Sequence, residues 1–557
     1  MKKYLAALST FVLIALTFPL HQNANSRGRY VSIERQGTGK PYVANRMIVK
    51  FRPEAEAAID RGEMPELGAA TRGARLESLN YRFERDGEYL VELDGSVSVE
   101  DAVSQARLNP SVEYAEPDYL LYSDAMPNDS RFNEQWALFN DTKAGADISA
   151  IRAWDLTTGS SEVVVAVVDT GVDLQHPDLA PNAWTNPAEI PGNGVDDDNN
   201  GFVDDVNGWD FVNDRPNTFE SATADFHGTH VSGIIGAVGN NGFGTSGVAW
   251  NVKLMSLKFI GARTGSTSDA IKAIKYVTEQ RRRGVNVRVI NASWSGPGES
   301  ESLFNAIKAA GDEGILFVAA AGNGGDDNRG DDIDVDPQFP AAWSDRLDSV
   351  ISVAAVDRND EFPSFTNYGH SRVNVAAPGV GVLSTYPGGG YTFLNGTSMA
   401  TPHVSGIAAL LWSFNPSFTP SQVKERITRT AEPILKFASR IKSSGRANAF
   451  NALTNTVATS QTRPAIRAVT TSKKVVTIDG LGFIQGTSVV EVNGVALPAG
   501  TKYADDFQLA NGSFTEISVK LGKATLRAIF PSAQQVSVTV LNTATGERST
   551  PFLFTRN

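Results

Sequence analysis

Five apolar runs follow one another between residues 128 and 455: VVVAVVD (163–169), KLMSLKFI (253–260), VRVINAS (287–293), ILFVAAA (315–321) and VISVAAV (350–356). None alternates apolar with polar residues, and most are rich in β-branched side chains. That pattern belongs to strands buried on both faces. Helix-like segments lie between them, among them DAIKAIKYVTEQRRR (269–283) and ESLFNAIKAAGDEG (301–314). Strand and helix in alternation predict right-handed βαβ units, hence an α/β fold with a mostly parallel sheet covered by helices on both faces.

The flanks read differently. Lys2 and Lys3 precede an apolar run from Leu5 to Phe18, which predicts an export signal over 1–24 cleaved near Ala24. No later stretch is long and apolar enough to span a bilayer, so no stable membrane insertion is expected after its removal. Residues 25–122 read as a small α+β unit, with MIVKF (47–51) and YLVEL (89–93) as strands and VSVEDAVSQARL (97–108) as a helix. The polar stretch TNTVATSQTRP (454–464) contains a linker, placed at 456–462 after a central domain of 123–455. Beyond it, over 463–557, KVVTIDG, SVVEVNG, TEISVKL and QVSVTVLN predict short strands and a β-sandwich.

Charge and composition narrow the chemistry. The net charge of −12 divides into −4 over 25–122, −14 over 123–462 and +4 over 463–557, with the two signal lysines making up the balance. This acidity argues against a nucleic-acid partner. The absence of cysteine excludes disulfides, thiolate metal sites and cysteine nucleophiles. Histidine is then the scarce reagent: beyond the signal only His176, His227, His230, His370 and His403 occur.

Three segments could combine a hydroxyl nucleophile with a base. Asp169 closes a buried strand at its carboxyl end, where open α/β sheets place their sites. His227 opens FHGTHVSGIIGA (226–237), and Ser398 sits in NGTSMATPHVSGIAALL (395–411) at a turn into an apolar helix, with Pro402 expected in its first turn. An α/β-hydrolase needs Ser, then acid, then His. Here the only histidine after Ser398 is His403, in the same predicted helix, and that order fails. A zinc pair of His227 and His230 lacks a third ligand and a neighbouring Glu. Asp, His, Ser is the order of subtilisin.

VVDTGVDLQHPDL (167–179), HGTHVSG (227–233) and NGTSMATPHVSG (395–406) together resemble the three signature blocks of the subtilisin-like serine proteases. The resemblance covers roughly 128–455. It implies that Asp169 orients the histidine, His227 acts as general base and then acid, and Ser398 attacks the scissile carbonyl. ILFVAAAGN (315–323) resembles the oxyanion block, so that Asn323 would donate its side-chain amide. INASWSG (290–296) resembles the substrate-pairing strand, placing Ser293, Trp294 and Ser295 on one side of a cleft and Ala320, Ala321 and Gly322 on the other. A glycine is common where Ser295 stands, which bears on the pocket's shape. Apolar or large side chains before the cut are expected, with protein or peptide substrates.

The 20-residue stretch GNGVDDDNNGFVDDVNGWDF (192–211) lies between Asp169 and His227. Its Asp196, Asp198, Asn200 and Gly201, followed by Asp204 and Asp205, form the D-x-D-x-N-G start of a calcium loop, although Asn207 stands where an EF-hand has Glu. The resemblance also maps Asp178 and Asn241, with Asp129, onto the family's strong calcium site. A second acidic run, 324–336, is less regular. Residues 25–122, ending in NPSVEYAEPDYLL, resemble the family's inhibitory propeptide, with cleavage expected between Tyr122 and Asn128. Residues 463–557 resemble a TIG-type immunoglobulin-like domain, whose fold leaves its role open. The expectation is a secreted (extracellular or periplasmic), monomeric, calcium-stabilised zymogen inhibited by its own propeptide. The alternative is a non-catalytic binding or adhesion protein.

Overall fold

The computed structural model describes residues 42–60, 75–78, 88–93, 97–119, 126–143, 145–261, 264–325, 327–457, 464–497, 501–503, 514–543 and 547–556. The expected signal, most of the expected propeptide cleavage segment and most of the linker lie outside these residues.

The N-terminal unit runs β1 (Tyr42–Phe51), α1 (Pro53–Asp60), β2 (Arg75–Ser78), β3 (Glu88–Glu92), α2 (Val99–Arg107) and β4 (Val112–Tyr119). Its strands form one antiparallel sheet in the order β2-β3-β1-β4. Met47, Val49 and Phe51 alternate inward and meet Val91, Ala102, Val103 and Ala106 in a separate core. The α2 helix starts where Ser98 Oγ accepts the Asp101 amide at 3.1 Å, an ordinary N-cap.

The central domain contains α3 (Ala150–Trp154), β5 (Gly159–Asp169), β6 (Gly208–Asp210), α4 (Phe226–Gly236), β7 (Asn251–Lys258), α5 (Thr267–Arg282), β8 (Val287–Ala292), α6 (Glu301–Asp312), β9 (Leu316–Ala320), β10 (Val350–Val356), β11 (Val375–Pro378), β12 (Val382–Tyr386), β13 (Gly390–Leu394), α7 (Thr397–Phe414), α8 (Pro420–Arg429), β14 (Glu432–Pro433), β15 (Gly445–Arg446) and α9 (Ala449–Thr454). Nine strands lie in the order β14-β15-β11-β10-β9-β8-β5-β7-β6. All pair in parallel except β14 with β15.

The missing alternation now has its cause. In β5, Val163, Val165 and Val167 face a core shared with α4 and α7, while Val164, Ala166 and Val168 face one shared with α5 and α6. Both faces of the strand are dry, so polar residues have no face to occupy.

The C-terminal unit carries β16 (Ala465–Ser472), β17 (Val475–Phe483), β18 (Ser488–Val492), β19 (Val495–Ala496), β20 (Thr501–Tyr503), β21 (Phe514–Lys520), α10 (Lys523–Ile529), β22 (Gln535–Asn542), β23 (Glu547–Arg548) and β24 (Phe552–Thr555). One sheet is ordered β16-β17-β21-β20, the other β19-β18-β22-β23, with β24 also on β22. Val476, Ile478 and Ile517 of the first share a core with Val490, Val538 and Val540 of the second, which makes a sandwich.

Candidate active site

Asp169 ends β5 and is fully buried. Its Oδ1 accepts the Thr170 amide at 2.7 Å and lies 2.7 Å from Nδ1 of His227. A carboxylate can only accept, so the imidazole carries its proton on Nδ1 and leaves Nε2 basic. His227 stands in the first turn of α4, and that helix can approach the strand end because Gly228 follows. A Cβ on Gly228 would fall 2.2 Å from the Gly171 carbonyl. Burial pulls the His227 pKa down, but the Asp169 charge and hydrogen bond outweigh it and leave the net shift upward from 6.5.

Ser398 is the second residue of α7. Its hydroxyl donates to the Ser293 carbonyl at 3.1 Å, and Ser293 Oγ donates back to the Ser398 carbonyl at 2.9 Å. The second bond explains Pro402. This proline lies in the second turn of α7, a correction to its expected first-turn position. Without an N–H it cannot bond the carbonyl four residues back, which is that of Ser398. Ser293 occupies the freed acceptor. Asn323 lies beyond the end of β9, and its Oδ1 accepts the Thr397 amide at 2.8 Å and the Thr397 hydroxyl at 2.9 Å. Its Nδ2 is thereby turned away from Thr397.

The residues expected on the substrate side differ in their contacts. Ala320, Ala321 and Gly322 form a buried wall, and Gly322 takes φ +102°, a conformation suited to glycine. A Cβ on Gly322 would lie 3.2 Å from Ser295 Oγ, so the two segments do face each other. The Trp294 indole instead enters the core: it donates to the Val168 carbonyl at 2.9 Å and stacks edgewise on Phe259 and Phe317.

Below the histidine lies a group that the motif reading did not include. Lys258 and Asp225 are both fully buried and form an ion pair, and Lys258 Nζ also donates to the Thr170 carbonyl at 2.6 Å. Asp225 precedes α4, and its other oxygen accepts the Glu220 and Ser221 amides at 2.5 and 3.0 Å. The signal was present: a lysine inside a strand buried on both faces must be paired.

Two oxygen-rich sites are separate from this cleft. At the first, Asp178 Oδ1 accepts Asn241 Nδ2 at 2.9 Å, and Oδ2 accepts the Thr245 amide and the Tyr391 hydroxyl at 2.9 and 2.8 Å. Asp129 is buried, with Oδ2 on the Asn240 amide and Oδ1 without a partner among the described residues. Burial raises its pKa, and the nearby Asp178 charge adds to the rise.

At the second, Glu189, Asp198 and Asp205 each bring a carboxylate oxygen within 4.8 Å of the others. Asp196 and Asp204 of the expected loop are used otherwise: Asp196 accepts the Asn200 and Gly201 amides, and Asp204 those of Asn193 and Gly194. Asn200 reaches in through Nδ2, which donates to Asp198 and Asp205. The buried Asp205, not Asp204, faces the cluster, and burial raises its pKa. Glu189 lies outside the D-x-D-x-N-G register and carried no sequence signal.

Asp169 thus holds His227, and Asn323 is held by Thr397 at the start of α7, where Ser398 follows. The Subtilase family profile matches residues 160–472, and that of the fervidolysin N-terminal prodomain matches 28–118. A thermophilic serine proteinase of Bacillus sp. (strain AK1) is 34% identical over 416 residues, covering 74% of this chain and 88% of its own. An extracellular protease of Xanthomonas campestris is 34% identical over 66% of this chain and 64% of its own. Subtilisin-like protease 1 of Plasmodium falciparum is 36% identical over 54% of this chain, but that match spans 44% of the parasite protein. The chain belongs to the subtilase family. It is a subtilisin-like serine peptidase with an N-terminal prodomain, and no helix among its described residues is long and apolar enough to cross a membrane.

Proposed function

We propose that this chain is an exported serine endopeptidase that cuts peptide bonds through Asp169, His227 and Ser398, by way of an acyl-enzyme. The observation that carries the reading is the 2.7 Å contact of His227 Nδ1 with Asp169, which leaves Nε2 free as base. Ser398 Oγ turns from the Ser293 carbonyl toward Nε2 when substrate arrives, a tightening common to such sites. Nε2 takes the hydroxyl proton as Oγ attacks the carbonyl carbon. The oxyanion is met by Asn323 Nδ2 and the Ser398 amide. Nε2–H then protonates the leaving amine, and water repeats the sequence to release the acid. Substrate backbone lies between 293–296 and 320–322, with an apolar or large side chain before the cut.

The zymogen is processed by its own site within 122–128, and the prodomain stays as inhibitor until it is degraded. Export follows from the 1–24 signal. The mature enzyme acts as a monomer outside the membrane, with no nucleic-acid partner. The C-terminal sandwich is TIG-type.

Calcium suits both oxygen-rich sites. A hard cation takes carboxylate and carbonyl oxygens, and each site holds buried carboxylates whose proximity is unfavourable without one. Asp129, Asp178 and Asn241 would hold the first ion, and Glu189, Asp198 and Asp205 the second. The unpartnered Asp129 Oδ1 is the acceptor most in need of it. Its contribution is structural.

The test compares wild type with Ser398→Ala. Wild type is expected to lose its prodomain and to react with a serine-directed phosphonate, while Ser398→Ala does neither. A wild type that stays at precursor length and resists the label refutes the reading.

A further inference from the structure

We infer that Asn367 is a positioning residue for the oxyanion donor, acting through the backbone on both sides of Asn323; this rests on the role given to Asn323 above. β9 ends at Ala320, and the Ala321 amide makes the last bond to the neighbouring strand, to the Val353 carbonyl at 3.0 Å. From there to Gly324 the chain has left the ladder, so its backbone groups need other partners.

The Thr397 hydroxyl accepts the Gly322 amide at 3.2 Å, and Asn367 serves three further groups. Asn367 Nδ2 donates to the Ala321 carbonyl at 3.0 Å, and its backbone amide donates to the Gly322 carbonyl at 3.0 Å. Asn367 Oδ1 accepts the Gly324 amide at 2.8 Å and the Asp331 amide at 2.8 Å. Residues 321, 322 and 324 are thus all tied to one side chain and its own backbone, and the residue they bracket is Asn323.

The contact is close as well as polar. Asn367 is 1% exposed, and a Cβ on Gly322 would lie 2.5 Å from its Nδ2. Asn323 itself is exposed, and among the described residues only Thr397 hydrogen-bonds its side chain. Thr397 sets the rotation of the amide. Asn367 sets where the amide starts from.

An oxyanion donor must sit about 2.7–3.1 Å from where the oxyanion forms, so a shift of a few tenths of an ångström weakens it. Loss of Asn367 therefore acts on turnover more than on binding. The test is a kinetic cycle with mature wild type, Asn323→Ala, Asn367→Ala and the double variant on a chromogenic peptide anilide. Far-UV circular dichroism and phosphonate titration count the folded, competent sites. Where Asn367→Ala yields no folded protein, Asn367→Ser replaces it, its hydroxyl keeping one acceptor.

Asn367→Ala is expected to lower kcat by about 10- to 100-fold with KM changed less than about threefold. In the Asn323→Ala background it is expected to lower kcat by less than about twofold. Equal losses in both backgrounds, or a change confined to KM, overturn the positioning role. An Asn323→Ala variant with wild-type kcat instead overturns the oxyanion reading itself.

Discussion

Two histidines outside the catalytic pair should make this enzyme sensitive to acid in a way that can be worked out. His230 and His403 are 0% and 1% exposed. His230 Nε2 donates to the Val382 and Thr392 carbonyls at 3.1 and 3.0 Å, and His403 Nδ1 to the Met399 carbonyl at 2.8 Å. Those bonds suit neutral rings, and burial depresses their pKa values from 6.5 to about 3 and about 4. A depressed folded pKa means that the stability is present above 6.5 and is lost as pH falls toward the folded value. Between pH 7 and pH 4, at 1.36 kcal/mol per unit, each ring accounts for about 3 kcal/mol and the two for roughly 6. That is comparable to the whole stability of an ordinary domain.

Carboxylates titrate over the same range, so the assay must isolate one ring. Urea unfolding of Ser398→Ala, which cannot digest itself, is followed by tryptophan fluorescence at fixed calcium with and without His403→Gln. The variant is expected to be less stable at pH 7, and the gap should move in its favour by about 3 kcal/mol at pH 4. A gap that stays constant between the two pH values would show that His403 is not held neutral by the fold.

Other outcomes follow from the same geometry. Because the His227 pKa is raised, the acid limb of kcat/KM should have its midpoint above pH 6.5, and a midpoint below that contradicts the Asp169 contact. Asp169→Asn should cost about 10⁴ in kcat, a size known from triad enzymes generally rather than worked from these distances. Excess chelator should lower the melting temperature and speed autolysis, and an unchanged melting curve would count against bound calcium. Lys258→Met should destabilise by about 3–5 kcal/mol in urea, because it leaves Asp225 buried and unpaired, with partial recovery in Lys258→Met/Asp225→Asn. An equal loss in the single and double variants would assign the cost to packing instead.

The parts legible in sequence were those with a period or a fixed motif. Strands buried on both faces announce themselves by unbroken apolar runs, and all five runs became neighbouring members of one parallel sheet. Asp169 and His227 were legible because a strand end and a helix start are local features, and the structure brings them together across 58 residues. The second acidic site was legible only in outline. The D-x-D-x-N-G register identified Asp198, but Glu189 arrives from outside the loop, and which of Asp204 and Asp205 turns inward depends on local backbone. Asp204 has φ +56°, a left-handed position that sends its carboxylate to the amides of residues 193 and 194. The motif did not show that the Trp294 indole packs on Phe259 and Phe317, a contact made only once the strands are assembled.

What sequence concealed has a common physical source. Ser398, Asn323 and His227 each stand where regular structure stops or starts. Around them some backbone groups lack regular partners, at Ser398 because Pro402 has no N–H to offer its carbonyl. Each gap is closed by a side chain from elsewhere in the chain: Ser293 at the Ser398 carbonyl, Asn367 around Asn323, and the Lys258–Asp225 pair at the entry to α4. Such braces carry no period, and their partners lie from 33 to 105 residues away. A buried polar residue in an otherwise apolar strand, as with Lys258, is the trace they leave. On the proposed mechanism, braces of this kind hold the reacting groups in place before substrate binds, and they should weigh on turnover more than a count of their hydrogen bonds suggests.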